Sequence, residues 1–297
     1  MRHHHKLLLA LLIALISGMI CYFWLASHNI GAADFTWPWR GAQLLLQGEN
    51  PYKIIQATGP YPYNDALYYP LPALLIAIPT TLFPANLAGA LFIACSAGLL
   101  AWAVLNTEYH RLPLFVSAPF VYALLTAQWA PLIAAAAFLP WLGPTLLGKP
   151  NIGVPVLLLY GNRKSWLFSA CVVLLSLLIL PGWPLDWYAS LKTHLNYTPL
   201  LSWFGPFLLL ALLRWRQRSA RLLLLMAMIP QRLLYDQLNL WLIPQTFRQS
   251  FVLSVCSWFG FMLGLVFGQG SLALVCSYLP ALVMVFMQAR VKDNETA

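Results

Sequence analysis

The sequence predicts an all-α polytopic membrane protein, and three observations support this fold class. Of the 297 residues, 61% are hydrophobic and 8% are charged, whereas about a quarter of the residues in a soluble globular chain are charged. Several apolar runs reach or approach the roughly 20 residues that a helix needs to cross the hydrocarbon layer. Tryptophan and tyrosine, 13 of each, often flank these runs, as they do at membrane interfaces.

The apolar runs predict about nine to eleven membrane segments in a single integral membrane domain spanning residues 1–297. The clearest runs are residues 7–26, 87–105, 166–180, 251–267 and 271–287. In chain order we predict a signal-anchor span (1–26), a long loop (27–67), a membrane bundle (68–213), a basic loop (214–221), C-terminal spans (222–289) and a polar tail (290–297).

The first apolar run is interpreted as an uncleaved anchor. A secretory signal peptide is the alternative, with a weak cleavage site near Ala32 and Ala33. The run extends over about 20 residues, beyond the roughly 7 to 15 of a secretory apolar region, which favours the anchor. The histidines at positions 3–5 could bind a metal, but a juxtamembrane cluster is the favoured interpretation.

The basic residues predict the orientation in the cell (inner) membrane. Arg2 and Lys6 precede the first span and place the N-terminus in the cytoplasm, which puts the loop 27–67 on the extracytoplasmic side. Arg163 and the run 214–221, with four arginines, should also be cytoplasmic. The run 214–221 is interpreted as a topological signal, with binding of anionic lipid headgroups as the alternative.

The same orientation assigns sides to the later loops. The loops around residues 183–197 and 231–245 then share the extracytoplasmic face with the loop 27–67. The C-terminal tail stays open, because Arg290 and Lys292 favour the cytoplasm whereas the order of segments after Arg221 favours the outside.

Eleven prolines between Tyr69 and Tyr160 predict that several helices there are short, kinked or partly re-entrant. Such broken helices persist at membrane depth where they are buried in protein or line a cavity.

Several function classes lack support in the sequence. The five cysteines lie within apolar runs and are interpreted as small packing residues, not disulfides or metal ligands. The net charge of +9 comes from basic residues at the ends of apolar segments, which fits topology better than binding to nucleic acid. No Walker loop, GxGxxG or HExxH motif is present, so the sequence predicts no cofactor, although it leaves a divalent metal open.

The loop 27–67 is the strongest candidate for chemistry, because it holds Asp34, Glu49 and Asp65, three of the eight carboxylates. Residues 36–48 predict a short helix in the interface plane, with Pro38 near its first turn and Gly48 just past its end. Asp34 precedes this helix, whose positive end favours a charged carboxylate. Such a carboxylate can act as a general base towards a hydroxyl group. Alternatively, Asp34 caps the helix.

An ordered pattern in the first half of the chain points to a family. The pattern comprises Asp34-Phe35, Trp39-Arg40-Gly41-Ala42, Leu46, Gly48-Glu49-Asn50-Pro51-Tyr52, Tyr68-Tyr69-Pro70-Leu71-Pro72, Gln128, Gly148-Lys149-Pro150, the stretch 155–160 and Arg163-Lys164. It resembles the polyprenyl-phosphate-mannose-dependent mannosyltransferases, which are membrane enzymes of the GT-C fold in glycosyltransferase family 87.

The resemblance implies a GT-C-like bundle with a long first extracytoplasmic loop containing an interfacial helix. It also implies an inverting hexosyltransferase that takes a hexose, mannose in this family, from a polyprenyl-phosphate donor. The sugar passes to a lipid or glycan acceptor on the extracytoplasmic face. Asp34 is then the base that deprotonates the acceptor hydroxyl.

A phosphate leaving group requires cations or N–H donors where negative charge develops. The candidates on the predicted face are Arg40, Lys53, Lys192, His194, Arg232 and Arg248. Arg40 and Arg232 are preferred because the planar guanidinium matches phosphate oxygens. Arg232 could instead pair with Asp236 at a spacing of four residues.

Four further residues complete the predicted set that binds the donor phosphate or the sugar: Gln128, Lys149, Asp236 and Gln237. A charge in an apolar context, as at Lys149, indicates function by default. Lys149 could also be an anchor whose ammonium reaches the interface.

Two departures from the family motivate an alternative function. Where relatives carry an aromatic-Asp-His-Tyr-like stretch after a proline, Gln237 stands at the histidine position, and glutamine cannot carry a titrating proton. The chain is also shorter than typical members. A catalytically silent subunit is therefore one alternative. A lipid or sugar transporter is another, which the prolines fit but the placement of the carboxylates does not.

Overall fold

The computed structural model describes residues 3–56, 65–191, 197–231 and 234–288. Over these ranges the protein is all-α, and extended pairing is confined to one isolated bridge between Tyr197 and Gln231. The predicted fold class is confirmed at this level.

The helices follow the apolar runs of the sequence. The α-helices are α1 (His3–His28), α2 (Thr36–Leu46), α3 (Pro51–Ile54), α4 (Leu71–Ala77), α5 (Ala85–Thr107), α6 (Ala118–Leu125), α7 (Ala130–Ala136), α8 (Pro150–Tyr160), α9 (Arg163–Ile179), α10 (Trp183–Leu191), α11 (Gly205–Leu208), α12 (Arg218–Met228), α13 (Phe247–Phe267) and α14 (Ser271–Met287). The 3-10 segments are Ala33–Phe35, Ile78–Leu82, Tyr109–Val116, Pro140–Leu147, Pro199–Leu201, Leu209–Arg214 and Tyr235–Leu242.

Helices α1, α5 and α13 are long and apolar enough to cross a membrane. Helices α9 and α10 together meet the same criterion but are bent by 98° at the break between them, so they make a fourth span if the pair counts as one. Shorter apolar helices include α8 and α14. The protein is therefore a membrane protein, and the count of nine to eleven segments stays a prediction.

The prolines set the helix lengths between Tyr69 and Tyr160, as predicted. The proline-free segment of this region forms the 23-residue helix α5, whereas α4 and α7 have seven residues each and α8 has eleven. Pro113 and Pro144 lie inside 3-10 segments. Because proline has no N–H to donate and clashes with the preceding turn, it disfavours a continuous α-helix at these positions, although Pro155 lies inside α8.

The chain divides into two compact units. The first comprises residues 1–106 and 123–195. In it, α1 packs antiparallel to α5 through small residues. A side chain at Gly18 would come within 2.9 Å of the Ala94 methyl group, and one at Gly98 within 2.9 Å of Ala14. Close backbone approach through small residues is the usual way in which membrane helices associate.

The first loop packs against the end of the α9–α10 pair. The predicted loop at 183–197 begins as helix α10, which follows Pro181 and Gly182. Asn50 donates to the Asp186 carboxylate at 3.0 Å, and the Trp187 indole N–H donates to the Tyr68 carbonyl at 2.9 Å. The first loop and the C-terminal end of α9 therefore lie at the same end of the first unit.

The second unit comprises residues 107–122 and 196–297. Helices α13 and α14 form a hairpin whose turn contains Gly268 in the left-handed conformation, with φ of +64°. A side chain at Gly260 would come within 2.5 Å of Cys276, so the two helices are in close contact there. The Ser254 hydroxyl accepts from the Trp241 indole at 3.0 Å and joins the hairpin to the segment Tyr235–Leu242.

Candidate active site

Three of the predicted site residues meet in the first unit. The side-chain amide of Gln128 donates to the Asp34 carboxylate, and the Lys149 ammonium donates to Gln128 Oε1 at 3.0 Å. Gln128 is fully buried, whereas Asp34 and Lys149 are half-buried. Residues from three separate segments thus form one hydrogen-bonded array, which we call the Asp34–Gln128–Lys149 array.

The hydrogen bonds of the array have a defined direction from donor to acceptor. An ammonium group can only donate, so the Gln128 oxygen faces Lys149 and the Gln128 NH2 group faces Asp34. Hydrogen bonds to charged groups are stronger than bonds between neutral groups. Lys149 therefore fixes the orientation of the amide, and the amide fixes the position of the Asp34 carboxylate.

Two alanines in an unusual conformation position this array. Ala33, directly before Asp34, has φ of +46°, and Ala127, directly before Gln128, has φ of +48°. The left-handed conformation costs an alanine about 1–2 kcal/mol, and such strain concentrates at functional sites. The backbone N–H of Asp34 also donates to the Thr126 carbonyl at 3.2 Å, which joins the two turns.

A buried tryptophan packs between the segments that carry the array. Trp129 follows Gln128 and is fully buried, and its six-membered ring lies so close to Gly148 that an added side chain there would come within 2.3 Å. Its ring centroid lies 5.0 Å from that of Phe92, which stacks at 4.1 Å on Phe35. Because Phe35 follows Asp34 and Gly148 precedes Lys149, this aromatic packing connects all three segments.

Sequence reasoning missed Trp129, Ala33 and Ala127. The Trp129 indole N–H has no hydrogen-bond partner among the described residues, and an unpaired buried donor is costly in a folded protein. The Gln-Trp pair within an apolar stretch is a signal that could have drawn attention to Trp129. No sequence signal marks Ala33 and Ala127, because alanine normally avoids the left-handed conformation and its presence does not predict such a turn.

The interpretation of Asp34 as the cap of α2 is wrong. The residue at the N-cap position of α2 is Phe35, and Asp34 lies one residue earlier in the 3-10 turn Ala33–Phe35. The predicted short helix itself is present as α2, followed by Gly48 with φ of +78°.

The other two carboxylates of the first loop have different environments. Glu49 is exposed, whereas Asp65 accepts from the Tyr68 hydroxyl at 2.9 Å. The Tyr52 hydroxyl donates to the Tyr69 carbonyl at 3.0 Å, and burial, followed by the negative charge of Asp186, raises the pKa of Tyr52. Tyr52 is therefore a neutral donor that tightens the loop.

The remaining predicted residues lie on other segments of the chain. Arg40 donates to Gln43 at 3.1 Å within α2, and Lys53 and Arg248 are exposed. Asp236 and Gln237 are fully buried in the second unit, on the 3-10 segment Tyr235–Leu242. Outside the described residues lie Lys192, His194 and Arg232. The preferred phosphate-binding pair of Arg40 and Arg232 stays a prediction.

Comparison with known proteins does not assign the chain to a family. No family model, curated protein or solved structure matches the chain. Over the described residues, no group of three or more His, Cys, Asp or Glu side chains could hold a metal ion. The Asp34–Gln128–Lys149 array is therefore the feature from which a function is inferred.

Proposed function

We propose that the protein is an inverting glycosyltransferase. The donor is a polyprenyl-phosphate hexose, with mannose as the hexose by resemblance, and the acceptor is a hydroxyl of a lipid or glycan on the extracytoplasmic face. The observation that supports this best is the Asp34–Gln128–Lys149 array, in which a half-buried carboxylate is held by a buried amide and an ammonium. The chain has eight Asp and Glu side chains in total, and one of them, Asp34, directly follows the strained residue Ala33.

In this reaction the Asp34 carboxylate accepts the proton of the acceptor hydroxyl. The hydroxyl oxygen forms a bond to the anomeric carbon from the face opposite the phosphate. The bond between that carbon and the phosphate oxygen breaks, and its electron pair leaves on the polyprenyl phosphate. A base held in fixed orientation suits such a step, because general-base catalysis depends first on geometry.

The charge of the array is suited to a site near a phosphate. Lys149 balances the carboxylate through the neutral amide of Gln128, so the site does not present an isolated negative charge to an anionic donor. Arg40, which belongs to the same unit as the array, is a proposed phosphate ligand. Arg232, Asp236 and Gln237 stay predictions from the sequence.

The test is a transfer assay with purified protein in proteoliposomes, using radiolabelled polyprenyl-phosphate mannose and total membrane lipid as acceptor. Asp34→Asn keeps the shape of the side chain and removes the base, so we expect transfer to fall by about 10²-fold or more. Glu49→Gln is the matched control, because it removes an exposed carboxylate from the same loop and should leave transfer unchanged.

Three results would count against the proposal. Undiminished transfer by Asp34→Asn would exclude the mechanism. Absence of transfer by the wild-type protein alone, with transfer restored by a partner enzyme, would favour a catalytically silent subunit. Movement of the labelled lipid across sealed vesicles without covalent change would instead identify a transporter.

A further inference from the structure

The second unit carries a strong concentration of positive charge at one turn. Arg214, Arg216, Arg218 and Arg221 lie within eight residues at the start of α12, and we call this segment the arginine turn. The last three are exposed, and Arg214 is half-buried. The described carboxylates of this unit are Glu108, which is ion-paired with Arg111, and Asp236, which is fully buried.

Arg214 is more than an exposed topological charge. Its guanidinium lies 5.6 Å from the centroid of the Phe286 ring, and its Nη1 is buried without a hydrogen-bond partner among the described residues. A guanidinium stays charged at any physiological pH, and its planar set of N–H donors matches the oxygens of a phosphate. A phosphate oxyanion at its accessible edge would balance this partly desolvated charge.

The surroundings of the arginine turn match the depth of lipid headgroups. Leu213 and Trp215 are 73% and 59% exposed, and the Arg216 guanidinium lies 6.0 Å from the centroid of the Trp215 ring. Exposed tryptophan beside exposed leucine is typical of the boundary between the acyl chains and the headgroups. This composition is typical of the depth at which lipid phosphates lie, with apolar surface next to the arginines for the acyl chains.

We propose that the arginine turn binds the phosphate headgroup of an anionic phospholipid, with Arg214 as the fixed phosphate ligand and Arg216 and Arg218 as electrostatic partners. The positive end of α12 adds to the same field. A lipid is favoured over free phosphate because Leu213 and Trp215 offer contacts that inorganic phosphate cannot use. This proposal is independent of the glycosyltransferase activity.

The test is native mass spectrometry of the delipidated full-length protein with an equimolar mixture of phosphatidylglycerol and phosphatidylcholine. We expect the wild-type protein to retain phosphatidylglycerol over phosphatidylcholine by about fivefold or more, since one basic residue near an anionic headgroup contributes roughly that factor. Equal retention of the two lipids would overturn the proposal.

Arg214→Lys separates lipid binding from topology, because it keeps the positive charge that directs orientation but lacks the planar set of donors. We expect it to lower the preference for phosphatidylglycerol several-fold. The double variant Arg216→Gln/Arg218→Gln changes exposed side chains and should also lower the preference, with the thermal unfolding midpoint measured alongside.

The matched control is Arg163→Gln/Lys164→Gln, which removes two charges at the start of α9. It should leave the lipid preference unchanged, and an equal loss in this control would overturn the assignment to the arginine turn. Inorganic phosphate at millimolar concentration should not displace the bound lipid. If it does, the site takes free phosphate and the lipid proposal fails.

Discussion

At the scale of single residues, the proposed chemistry depends on how the Asp34 carboxylate is held. Gln128 is fully buried and has a hydrogen bond on each side, one to Asp34 and one from Lys149. Removing one partner of a buried hydrogen bond costs about 1–3 kcal/mol, because the remaining group is left unsatisfied. Lys149 should therefore affect the reaction through the orientation of Gln128, although it is not itself the base.

We predict that Lys149→Met lowers transfer activity by about tenfold, since the Gln128 amide then loses the donor that fixes its orientation and a misplaced base costs one or more orders of magnitude. The effect should fall mainly on kcat. The measurement is the steady-state transfer rate in proteoliposomes, together with the thermal unfolding midpoint in detergent.

Two comparisons make this prediction specific to the array. Lys149→Arg retains a cationic donor and should keep more activity than Lys149→Met. Lys164→Met removes an exposed lysine and should behave as wild type. If Lys149→Met transfers sugar at the wild-type rate, the array does not position Asp34.

Sequence reasoning identified Asp34, Gln128 and Lys149 individually but not their contact. Their convergence depends on the left-handed turns at Ala33 and Ala127 and on the close approach of Trp129 to Gly148. These features arise from packing between distant segments, which overrides the local preference of alanine. A local pattern could not have predicted them.

At the scale of elements, the pairing of α1 with α5 positions the candidate site. Helix α1 leads directly into the turn that carries Asp34, and α5 supplies Phe92, which stacks on Phe35 at 4.1 Å. The separation of the two helices is set by Gly18 and Gly98, at which a side chain would contact the facing helix.

We predict that Gly18→Leu destabilises the protein by about 1–3 kcal/mol, because it forces extra volume into a close helix contact. A side chain at this position meets the Ala94 methyl group at 2.9 Å and the Ala90 carbonyl at 3.3 Å. The measurement is thermal unfolding of the purified protein in one detergent. Met19→Leu, on the exposed side of α1, is the control and should leave the midpoint unchanged. An unchanged midpoint for Gly18→Leu would mean that the two helices do not pack closely.

The proline positions correctly predicted that the helices are short. They did not predict which conformation the chain adopts after each helix. The segment 109–116 and the segment 140–147 both adopt the 3-10 conformation, and the α9–α10 pair bends by 98° after Leu180. Pro181 and Gly182 explain where the bend occurs, since proline and glycine interrupt helices. The direction of α10 depends instead on its bonds to the first loop at Asn50 and Tyr68.

At the scale of the whole molecule, the principal question is which end of the first unit faces outwards. Asn50 and Asp186 are hydrogen-bonded, so the first loop lies at the C-terminal end of α9. The 17 residues of α9 rise by about 25 Å, close to the thickness of the hydrocarbon core. Lys164, at the start of α9, should therefore lie on the opposite side of the membrane from the loop.

We predict opposite labelling of two introduced cysteines by a membrane-impermeant maleimide. Glu49→Cys should react in sealed right-side-out vesicles, whereas Lys164→Cys should react in inverted vesicles. Both positions are exposed. The wild-type protein is the control, because its five free cysteines lie within apolar helices. Labelling of both variants from the same side would mean that α9 does not cross the membrane.

The sequence by itself determined that this is an all-α membrane protein, where its helices break and which polar residues are candidates for chemistry. These properties follow from hydrophobicity, proline positions and the cost of burying charge, which act on each segment locally. The tertiary structure decided that Asp34, Gln128 and Lys149 form one array, although 94 residues separate the first two. Such a contact depends on the simultaneous packing of several helices, which no single segment encodes.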